Sequence, residues 1–169
     1  MLGQDLIKSG SIKFGDFVLT SGKKSDYYVD IKEGATKPEL LNEISVELSK
    51  KLTAKKIAGM ELGAVPLIVA TSLKANIPYI IVRKEEREHG TKKRIIGEIN
   101  KNEEIDLIED VVTTGNSLLK TADILRKNGA VIRHAICVVD RESGGYDLLK
   151  SNGIELESLV KISDILKSR

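Results

Sequence analysis

The feature that most constrains the fold is a regular alternation of short apolar segments with longer amphipathic ones along the middle of the chain. Short runs predicted to be strands occur at Ile57–Met60, Tyr79–Val82, Glu104–Ile108 and Val131–Val139, the last of which is rich in β-branched residues. Helical spacing of apolar residues occurs from Pro38 to about Lys55, over Val65–Leu73 and over Ser117–Asn128. This alternation predicts an α/β fold with a central, mostly parallel sheet flanked by helices. Because ligands of such sheets bind outside the carboxyl ends of the strands, we expect the residues that follow each strand to converge on one site.

Shorter elements are predicted on either side of the alternating region and within it. The N-terminal ones are an amphipathic segment and two strands around a polar turn: Leu2–Ser9, Ile12–Leu19 and Tyr27–Ile31. The charged stretch Arg83–Arg94 is followed by a strand that returns from it, Ile95–Ile99. A turn at Gly144 and Gly145 precedes a short helix, a strand near Ile154–Leu156 and a last helix near Ser163–Lys167. With 169 residues and no internal repeat, the chain is expected to be a single domain over residues 1–169.

The composition argues against several classes of protein. Apolar residues make up 41% of the chain, which indicates a globular rather than a disordered protein. The net charge is only +2, from 27 basic and 25 acidic residues, so neither a nucleic-acid partner nor a membrane is expected. Cys137 is the only cysteine, which excludes an intramolecular disulfide and favours a reducing compartment. Residues 1–8 do not resemble a signal peptide, and no apolar stretch approaches the roughly 20 residues of a membrane span, so we expect a cytoplasmic protein.

A strand–turn–helix segment, Leu107–Ser117, carries the strongest functional signal. Glu109 and Asp110 follow its apolar strand, and two adjacent carboxylates at a buried strand end cost desolvation unless a ligand binds them. Sugar hydroxyls or a Mg²⁺ ion would compensate for that cost. The next residues, Thr113–Ser117, open a helix, whose N-terminal N–H groups and dipole favour an anion. Gly115 would let the backbone approach a phosphate closely.

A simpler interpretation of this segment is a strand-to-helix turn with a threonine or asparagine cap and two solvated acids. That interpretation would hold for a shorter Asp-x-x-Thr-Gly pattern, but the eleven residues together favour a ribose-phosphate site. Their order resembles the phosphoribosyl pyrophosphate (PRPP) motif of type I phosphoribosyltransferases: apolar residues, two acids, two apolar residues, Thr-Thr-Gly and small polar residues. Neither Gly-x-x-x-x-Gly-Lys-Ser/Thr nor Gly-x-Gly-x-x-Gly occurs, which argues against a nucleoside triphosphatase and a dinucleotide enzyme.

Three further segments resemble the orotate phosphoribosyltransferases within that group. Phe17–Tyr28 is similar to the family's N-terminal hood, which covers the pyrimidine, and Arg83–Gly90 is similar to its mobile catalytic loop. Val139–Arg141, followed by Gly144-Gly145, is similar to the segment that reads the carboxylate of orotate. The resemblance implies transfer of the 5-phosphoribosyl group from PRPP to orotate, which gives orotidine 5′-monophosphate and pyrophosphate in de novo pyrimidine (UMP) biosynthesis.

The resemblance also implies a fold and a set of site residues. The fold is that of type I phosphoribosyltransferases, with a small hood mainly in residues 1–35 and a mobile loop at about 84–95. The residues expected to take part in catalysis are Lys84, Arg87, His89, Glu109 and Asp110. Those expected to bind PRPP are Arg83, Lys84, Arg87, His89, Glu109, Asp110, Val111, Val112, Thr113, Thr114, Gly115, Asn116 and Ser117. Those expected to contact orotate are Thr113 and Arg141.

Each group of residues has an implied role. The loop side chains close over the pyrophosphate, while the two acids hold the ribose hydroxyls and stabilise positive charge on the ribose. The turn binds the 5-phosphate, and the planar guanidinium of Arg141 matches the orotate carboxylate. Mg²⁺ is the implied cofactor, bound mainly through PRPP, and no separate protein metal site is expected. The implied assembly is a homodimer in which the mobile loop acts in trans.

Several of these residues also have simpler interpretations. The stretch Arg83–Arg94 could be a solvated charged loop, although its place after a strand end and the His-Gly pair within it favour a lid. Arg141 could form a surface ion pair with Glu142. Tyr27 and Tyr28 could serve in strand packing, which we expect for at least one of them.

The sequence departs from the family pattern at three positions. Many members carry a lysine where this chain has Thr20, Gly63 and Arg87. Lys23 or Lys24 could substitute for the first of these. Two alternative functions stay open: a phosphoribosyltransferase for another base, such as a purine, and a non-catalytic PRPP-sensing regulator.

Overall fold

A helix and a β-hairpin form the N-terminal layer of the protein, in a computed structural model that describes residues 1–19, 22–85 and 93–167. The elements of this layer are α1 (Leu2–Lys8), β1 (Ile12–Val18), β2 (Lys24–Val29) and the one-turn α2 (Ile31–Gly34). β1 and β2 pair antiparallel. β2 ends at Val29 because Asp30 begins α2: the Asp30 carboxylate accepts a hydrogen bond of 3.1 Å from the Lys32 amide. Ile31, predicted to end the strand, therefore lies in a helix and is fully buried.

Six further strands form the central sheet. In chain order the remaining elements are α3 (Pro38–Lys50), β3 (Ile57–Met60), α4 (Ala64–Ala75), β4 (Tyr79–Val82), β5 (Ile95–Ile96), β6 (Asp106–Val112), α5 (Asn116–Lys127), β7 (His134–Asp140), α6 (Gly145–Ser151), β8 (Glu155–Lys161) and α7 (Ile162–Lys167). The spatial order of the strands is β5-β4-β3-β6-β7-β8, and every neighbouring pair is parallel except β4 with β5. The predicted α/β fold with a mostly parallel sheet is confirmed. Within the described ranges, no helix has the length and apolar character needed to cross a membrane.

Apolar side chains cover both faces of the sheet. On one face, Leu107 and Cys137 pack in a cluster with buried residues of α5 and α6. On the other, Ile108 and Ile136 pack in a cluster with buried residues of α1, α3, α4 and α7. All seven residues of β7 are buried, as expected for a strand covered on both sides. The central strands therefore hold the residues at their carboxyl ends in fixed positions.

The predicted boundaries were wrong at several elements. β6 continues past Ile108 to Val112, because its pairing with β7 extends to Val112 opposite Asp140. The two adjacent acids of the motif therefore lie inside the strand rather than after it. β5 has only two residues, and the next residue, Gly97, turns the chain at φ +116. β8 has seven residues rather than three, since it pairs with β7 along its length.

A charged cluster joins the central strands near their amino ends, opposite the carboxyl ends. The Nδ1 atom of His134 lies 3.3 Å from Asp106 Oδ1, and its Nε2 atom lies 3.1 Å from Glu157 Oε1. The Asp106 carboxylate also accepts hydrogen bonds from the amides of Thr53 (2.6 Å) and Ala54 (3.0 Å). The Asp106 carboxylate has the largest effect on the pKa of His134 and raises it. Burial lowers this pKa and Glu157 raises it further, so the net pKa lies above its ordinary value.

We expect this cluster to make the stability depend on pH. The folded protein binds the His134 proton more tightly than the unfolded chain, so the contribution is complete below the ordinary pKa of 6.5 and is lost as the pH rises through the raised pKa. His134→Gln, which cannot titrate, should lower the free energy of unfolding by about 2 kcal/mol at about pH 5.5 and by less at about pH 9. Urea unfolding at both pH values measures the difference. An equal loss at both would contradict the assignment.

Candidate active site

A cavity of about 560 Å³ lies at the carboxyl ends of the central strands. It is lined by α2, by the segments that follow β3 and β4, by the end of β6 and by the start of α5. The lining residues are Lys32, Met60, Glu61, Leu62, Gly63, Lys84, Glu85, Glu109, Asp110 and Ser117. A smaller hollow of about 110 Å³ is lined by Glu109 and residues 111–118, so it shares Glu109 and Ser117 with the first. The structure thus brings together two acids, a lysine and a strand-to-helix turn that the sequence had assigned to one site.

Glu109 and Asp110 form a carboxylate pair at the cavity. Glu109 is only 7% exposed, and its carboxylate accepts a hydrogen bond of 3.2 Å from the Asp110 amide. The Asp110 carboxylate accepts one of 2.9 Å from the Val111 amide. Burial, and next the adjacent charge of Asp110, raise the pKa of Glu109 to about 8. The pair therefore retains a proton at neutral pH, and ligands that donate hydrogen bonds or bring positive charge suit it.

The turn between β6 and α5 has the geometry of an anion site. Gly115 is the N-cap of α5 at φ +82, and it has no side chain that could accept hydrogen bonds from the first amides of the helix. A Cβ at Gly115 would lie 3.1 Å from the Cα of Gly145, and one at Gly145 would overlap a methyl carbon of Val112. The Gly145 amide donates to the Thr113 carbonyl at 3.0 Å. The second glycine of the predicted Gly-Gly turn thus supports the anion-binding turn by close backbone contact.

The base of the charged loop is fixed at the edge of the cavity. The amide of Lys84 donates a hydrogen bond of 2.9 Å to the Glu61 carboxylate. The Arg94 guanidinium donates to the carbonyls of Arg83 (3.0 Å) and Lys84 (2.7 Å), so it ties the two ends of the loop together. Sequence reasoning placed Arg83 among the PRPP-binding residues but did not single out Arg94. The signal that could have found it is a cation placed directly before the returning strand.

Arg141 lies where the N-terminal hood meets the sheet. Its Cζ atom is 5.0 Å from the centroid of the Tyr27 ring, a cation–π contact. Its amide donates to the Val112 carbonyl at 2.9 Å, which ties Arg141 to the end of β6. Its Nε atom is buried and has no hydrogen-bond partner among the described residues. A buried donor of this kind is suited to an anionic ligand. The Glu142 carboxylate accepts from the Ser163 amide at 2.9 Å, and the described residues include no ion pair between Glu142 and Arg141.

The two adjacent tyrosines of the hood have different surroundings. Tyr27 contacts Arg141, whereas the Tyr28 ring packs 5.7 Å from the Phe17 ring and is 42% exposed. Lys24 lines a separate hollow of about 550 Å³ on the hairpin. Tyr27 is therefore the hood aromatic that contacts Arg141, although neither residue lines the cavity or the smaller hollow.

Lys32 is a site residue that sequence reasoning missed. Its Nζ atom lies 3.3 Å from Asp30 Oδ1 and 3.7 Å from Asp110 Oδ2. Burial has the largest single effect on the pKa of Lys32 and lowers it, but Asp110 and Asp30 together raise it, and the net pKa is raised. No sequence signal marks Lys32, because α2 is one turn long and too short to show periodicity.

Two predicted loop residues and one departure from the family pattern lie outside the described residues, whereas Gly63 lines the cavity. Arg87 and His89, expected at the pyrophosphate, and the departure at Thr20 lie outside the described residues. At Gly63, a Cβ would overlap the Asp110 carboxylate, so this position has no room for a side chain with Asp110 where it stands.

Comparison with known proteins gives consistent results. The sequence model of the phosphoribosyl transferase domain matches residues 36–161. The chain is 66% identical over 165 residues to the orotate phosphoribosyltransferase of Thermoplasma volcanium, covering 98% of this chain and 99% of that one. The solved orotate phosphoribosyltransferase from Aeropyrum pernix is 30% identical with a TM-score of 0.86, covering 99% and 97% of the two chains. Leishmania donovani UMP synthase is 29% identical with a TM-score of 0.86, covering 98% of this chain and 37% of that one.

The raised pKa of Glu109 leads to a prediction for the ligand-free protein. The folded state holds this proton up to about pH 8, whereas the ordinary pKa is 4.5, so stability falls as the pH rises through this window. Glu109→Gln removes the ionisation and should raise the Tm by about 5 °C at about pH 9, with a smaller gain at about pH 5. Thermal unfolding at the two pH values tests this. A variant that is equally destabilised at both would show that the carboxylate is not the strained group.

Proposed function

The chain belongs to the orotate phosphoribosyltransferase family of type I phosphoribosyltransferases, and we propose that it transfers the 5-phosphoribosyl group of PRPP to orotate. The products are orotidine 5′-monophosphate and pyrophosphate. The observation that carries the orotate assignment is the position of Arg141: its amide is bonded to Val112, directly before the anion-binding turn, and its buried Nε atom has no hydrogen-bond partner among the described residues. A planar guanidinium beside an aromatic ring suits a flat, negatively charged base.

The proposed chemistry assigns one task to each part of the site. The N–H groups at the start of α5 bind the 5-phosphate, with hydroxyls from Thr113, Thr114 and Ser117 as further donors. Glu109 and Asp110 accept hydrogen bonds from the ribose hydroxyls. Their negative charge stabilises the positive charge that builds on the ribose as the bond to pyrophosphate breaks.

The departing pyrophosphate is stabilised by cations from the charged loop. Lys84 lies in the cavity lining, and its backbone is held by Glu61. We assign Arg87 and His89 of the same loop to the pyrophosphate as well, with Arg83 at the base of the loop. Closure of the loop would also exclude water from the reacting centre.

The proposed cofactor is Mg²⁺, held mainly through PRPP. The donor set fits this arrangement: the Glu109–Asp110 pair carries excess negative charge, and oxygen atoms are the ligands that Mg²⁺ prefers. Among the described residues no group of three or more His, Cys, Asp or Glu side chains could hold a metal ion by itself. When bound, Mg²⁺ neutralises charge on the pyrophosphate, while the protein carboxylates orient the ribose.

The proposed setting is a cytoplasmic homodimer in which the loop of one protomer reaches the site of the other. The cytoplasmic location is supported by the single, buried cysteine, which forms no disulfide. The dimer is supported by exposed large apolar side chains on three neighbouring elements, Leu73 of α4, Tyr79 of β4 and Ile96 of β5. It is also supported by the family resemblance of the loop.

The orotate assignment predicts a selective effect of Arg141→Ala. Loss of a charge-assisted contact should raise the KM for orotate about 10- to 100-fold and change the KM for PRPP by less than about threefold. Arg133→Ala, at the amino end of β7 and paired with Glu104, is the matched control and should leave both constants unchanged. Steady-state kinetics with PRPP, Mg²⁺ and orotate, uracil or purines measures the effect.

The same measurement distinguishes the alternatives. Equal losses for both substrates would contradict the role of Arg141. Turnover of a purine in preference to orotate would favour an enzyme for another base. Binding of PRPP without turnover of any base would favour a PRPP-sensing regulator.

Action of the loop in trans predicts that two inactive variants restore activity when mixed. Lys84→Ala removes a loop cation and Asp110→Asn removes a site carboxylate. In a mixed dimer one site would then combine an intact carboxylate pair with an intact loop, so mixing equal amounts should recover about a quarter of wild-type activity. A loop that acts in cis would leave both sites of the mixed dimer defective, and no activity would return.

A further inference from the structure

We propose that Lys32 is an additional substrate-binding residue, which donates hydrogen bonds to the pyrophosphate group of PRPP. This inference rests on the proposed function. It concerns a one-turn helix of the hood, outside the loop and the turn to which substrate binding is assigned above. Three structural observations support it.

The first observation is how the local structure presents the side chain. Asp30 caps α2 by accepting from the Lys32 amide at 3.1 Å, and the fully buried Ile31 anchors the helix in the core. Lys32 follows directly and extends into the cavity lining, with its side chain 50% exposed. A residue that served only to close the helix would not need to reach the cavity.

The second observation concerns the bonding capacity of the ammonium group. An ammonium has three N–H donors. Among the described residues, the acceptors near Lys32 Nζ are Asp30 Oδ1 at 3.3 Å and Asp110 Oδ2 at 3.7 Å. The second distance exceeds a normal hydrogen bond, so it is an electrostatic contact that leaves donors available to a ligand.

The third observation concerns the space beside Asp110 at Gly63, in the segment after β3. The segment after β3 has no side chain at Gly63, and a Cβ there would overlap the Asp110 carboxylate unless that carboxylate moved. Asp110 Oδ2 is the nearest atom to that Cβ position and is also the oxygen next to Lys32 Nζ. The two positions are therefore neighbours across one carboxylate, and Lys32 brings from the hood a cation at a point where residue 63 is a glycine.

The charge of the cavity explains why such a cation is needed. The described lining contains four carboxyl groups, those of Glu61, Glu85, Glu109 and Asp110, and two ammonium groups, those of Lys32 and Lys84. Even with one proton kept by the Glu109–Asp110 pair, negative charge exceeds positive charge in this lining. PRPP is a polyanion, and its pyrophosphate would be repelled by this lining without compensation. Lys32 lies beside Asp110, which is assigned to the ribose hydroxyls, and close to the segment after β3. Because the pyrophosphate is bonded directly to the ribose, it is the part of PRPP that Lys32 can reach.

The test compares Lys32→Met with Lys50→Met. Lys50 is an exposed lysine of α3 paired with Glu47 outside the cavity, so its variant controls for loss of a surface charge. Binding of inorganic pyrophosphate with Mg²⁺ is measured by calorimetry, and the KM for PRPP and for orotate by kinetics. Lys32→Met should weaken pyrophosphate binding and raise the KM for PRPP about three- to tenfold, with the KM for orotate unchanged. Lys32→Arg should restore most of the loss, and Lys50→Met should behave as wild type.

A second comparison separates direct binding from an effect exerted through Asp110. Lys32→Met is repeated in an Asp110→Asn background. A direct contact predicts that the loss of pyrophosphate binding persists, whereas a residue that only neutralises Asp110 would show no further loss, which would overturn the inference. Unchanged pyrophosphate binding and PRPP kinetics in Lys32→Met would overturn it as well. Wild-type protein that does not convert orotate would instead refute the proposed function.

Discussion

The parallel pairing of β6 with β7 beyond the point where the apolar strand was predicted to end is the constraint on which the site depends. The register places Val111 opposite Val139 and Val112 opposite Asp140. The pairing is continued by the Arg141 amide, which donates to the Val112 carbonyl. It fixes the carboxylate pair inside a strand, begins the anion-binding turn at the next residue, and brings Arg141 beside that turn. A change of one residue in this register would reverse which side chains face the cavity.

The same pairing explains why one site contains both a carboxylate pair and a helix N-terminus, which favour ligand groups of opposite charge. The strand holds Glu109 and Asp110 side by side, and burial of Glu109, followed by repulsion from Asp110, raises the pKa of Glu109. One residue after Val112, the chain turns so that the dipole of α5 favours negative charge. In the proposed function, ribose hydroxyls and a phosphate would meet complementary groups at a short distance along one chain segment. A ligand that donates hydrogen bonds to the two carboxylates would offset the cost of holding them together.

Sequence reasoning succeeded where the signal was local. The alternation of strands and helices predicted the sheet, and the turn at Gly115 was recognised from contiguous residues. The close contact between Gly115 and Gly145 could not be predicted, because it joins segments about thirty residues apart through backbone packing. The extension of β6 was missed because two adjacent acids are a poor strand signal, and pairing with β7 overrides that preference. α2 was missed because a single helical turn has no periodicity, and Lys32 was missed with it.

The proposed role of Lys32 would place a cation at the pyrophosphate from an element other than the segment after β3. The segment after β3 carries a glycine, Gly63, where a Cβ would overlap the Asp110 carboxylate in its present position. In the proposed site the cation at that point comes from the hood helix α2, whose Lys32 Nζ lies 3.7 Å from Asp110 Oδ2. Because Asp30 sets the start of α2 and Ile31 anchors it, the placement of this ammonium is determined by packing of the hood against the sheet. Since Tyr27 and Lys32 belong to the same short stretch of the hood, docking of the hood completes both the base end and the pyrophosphate end of the proposed site.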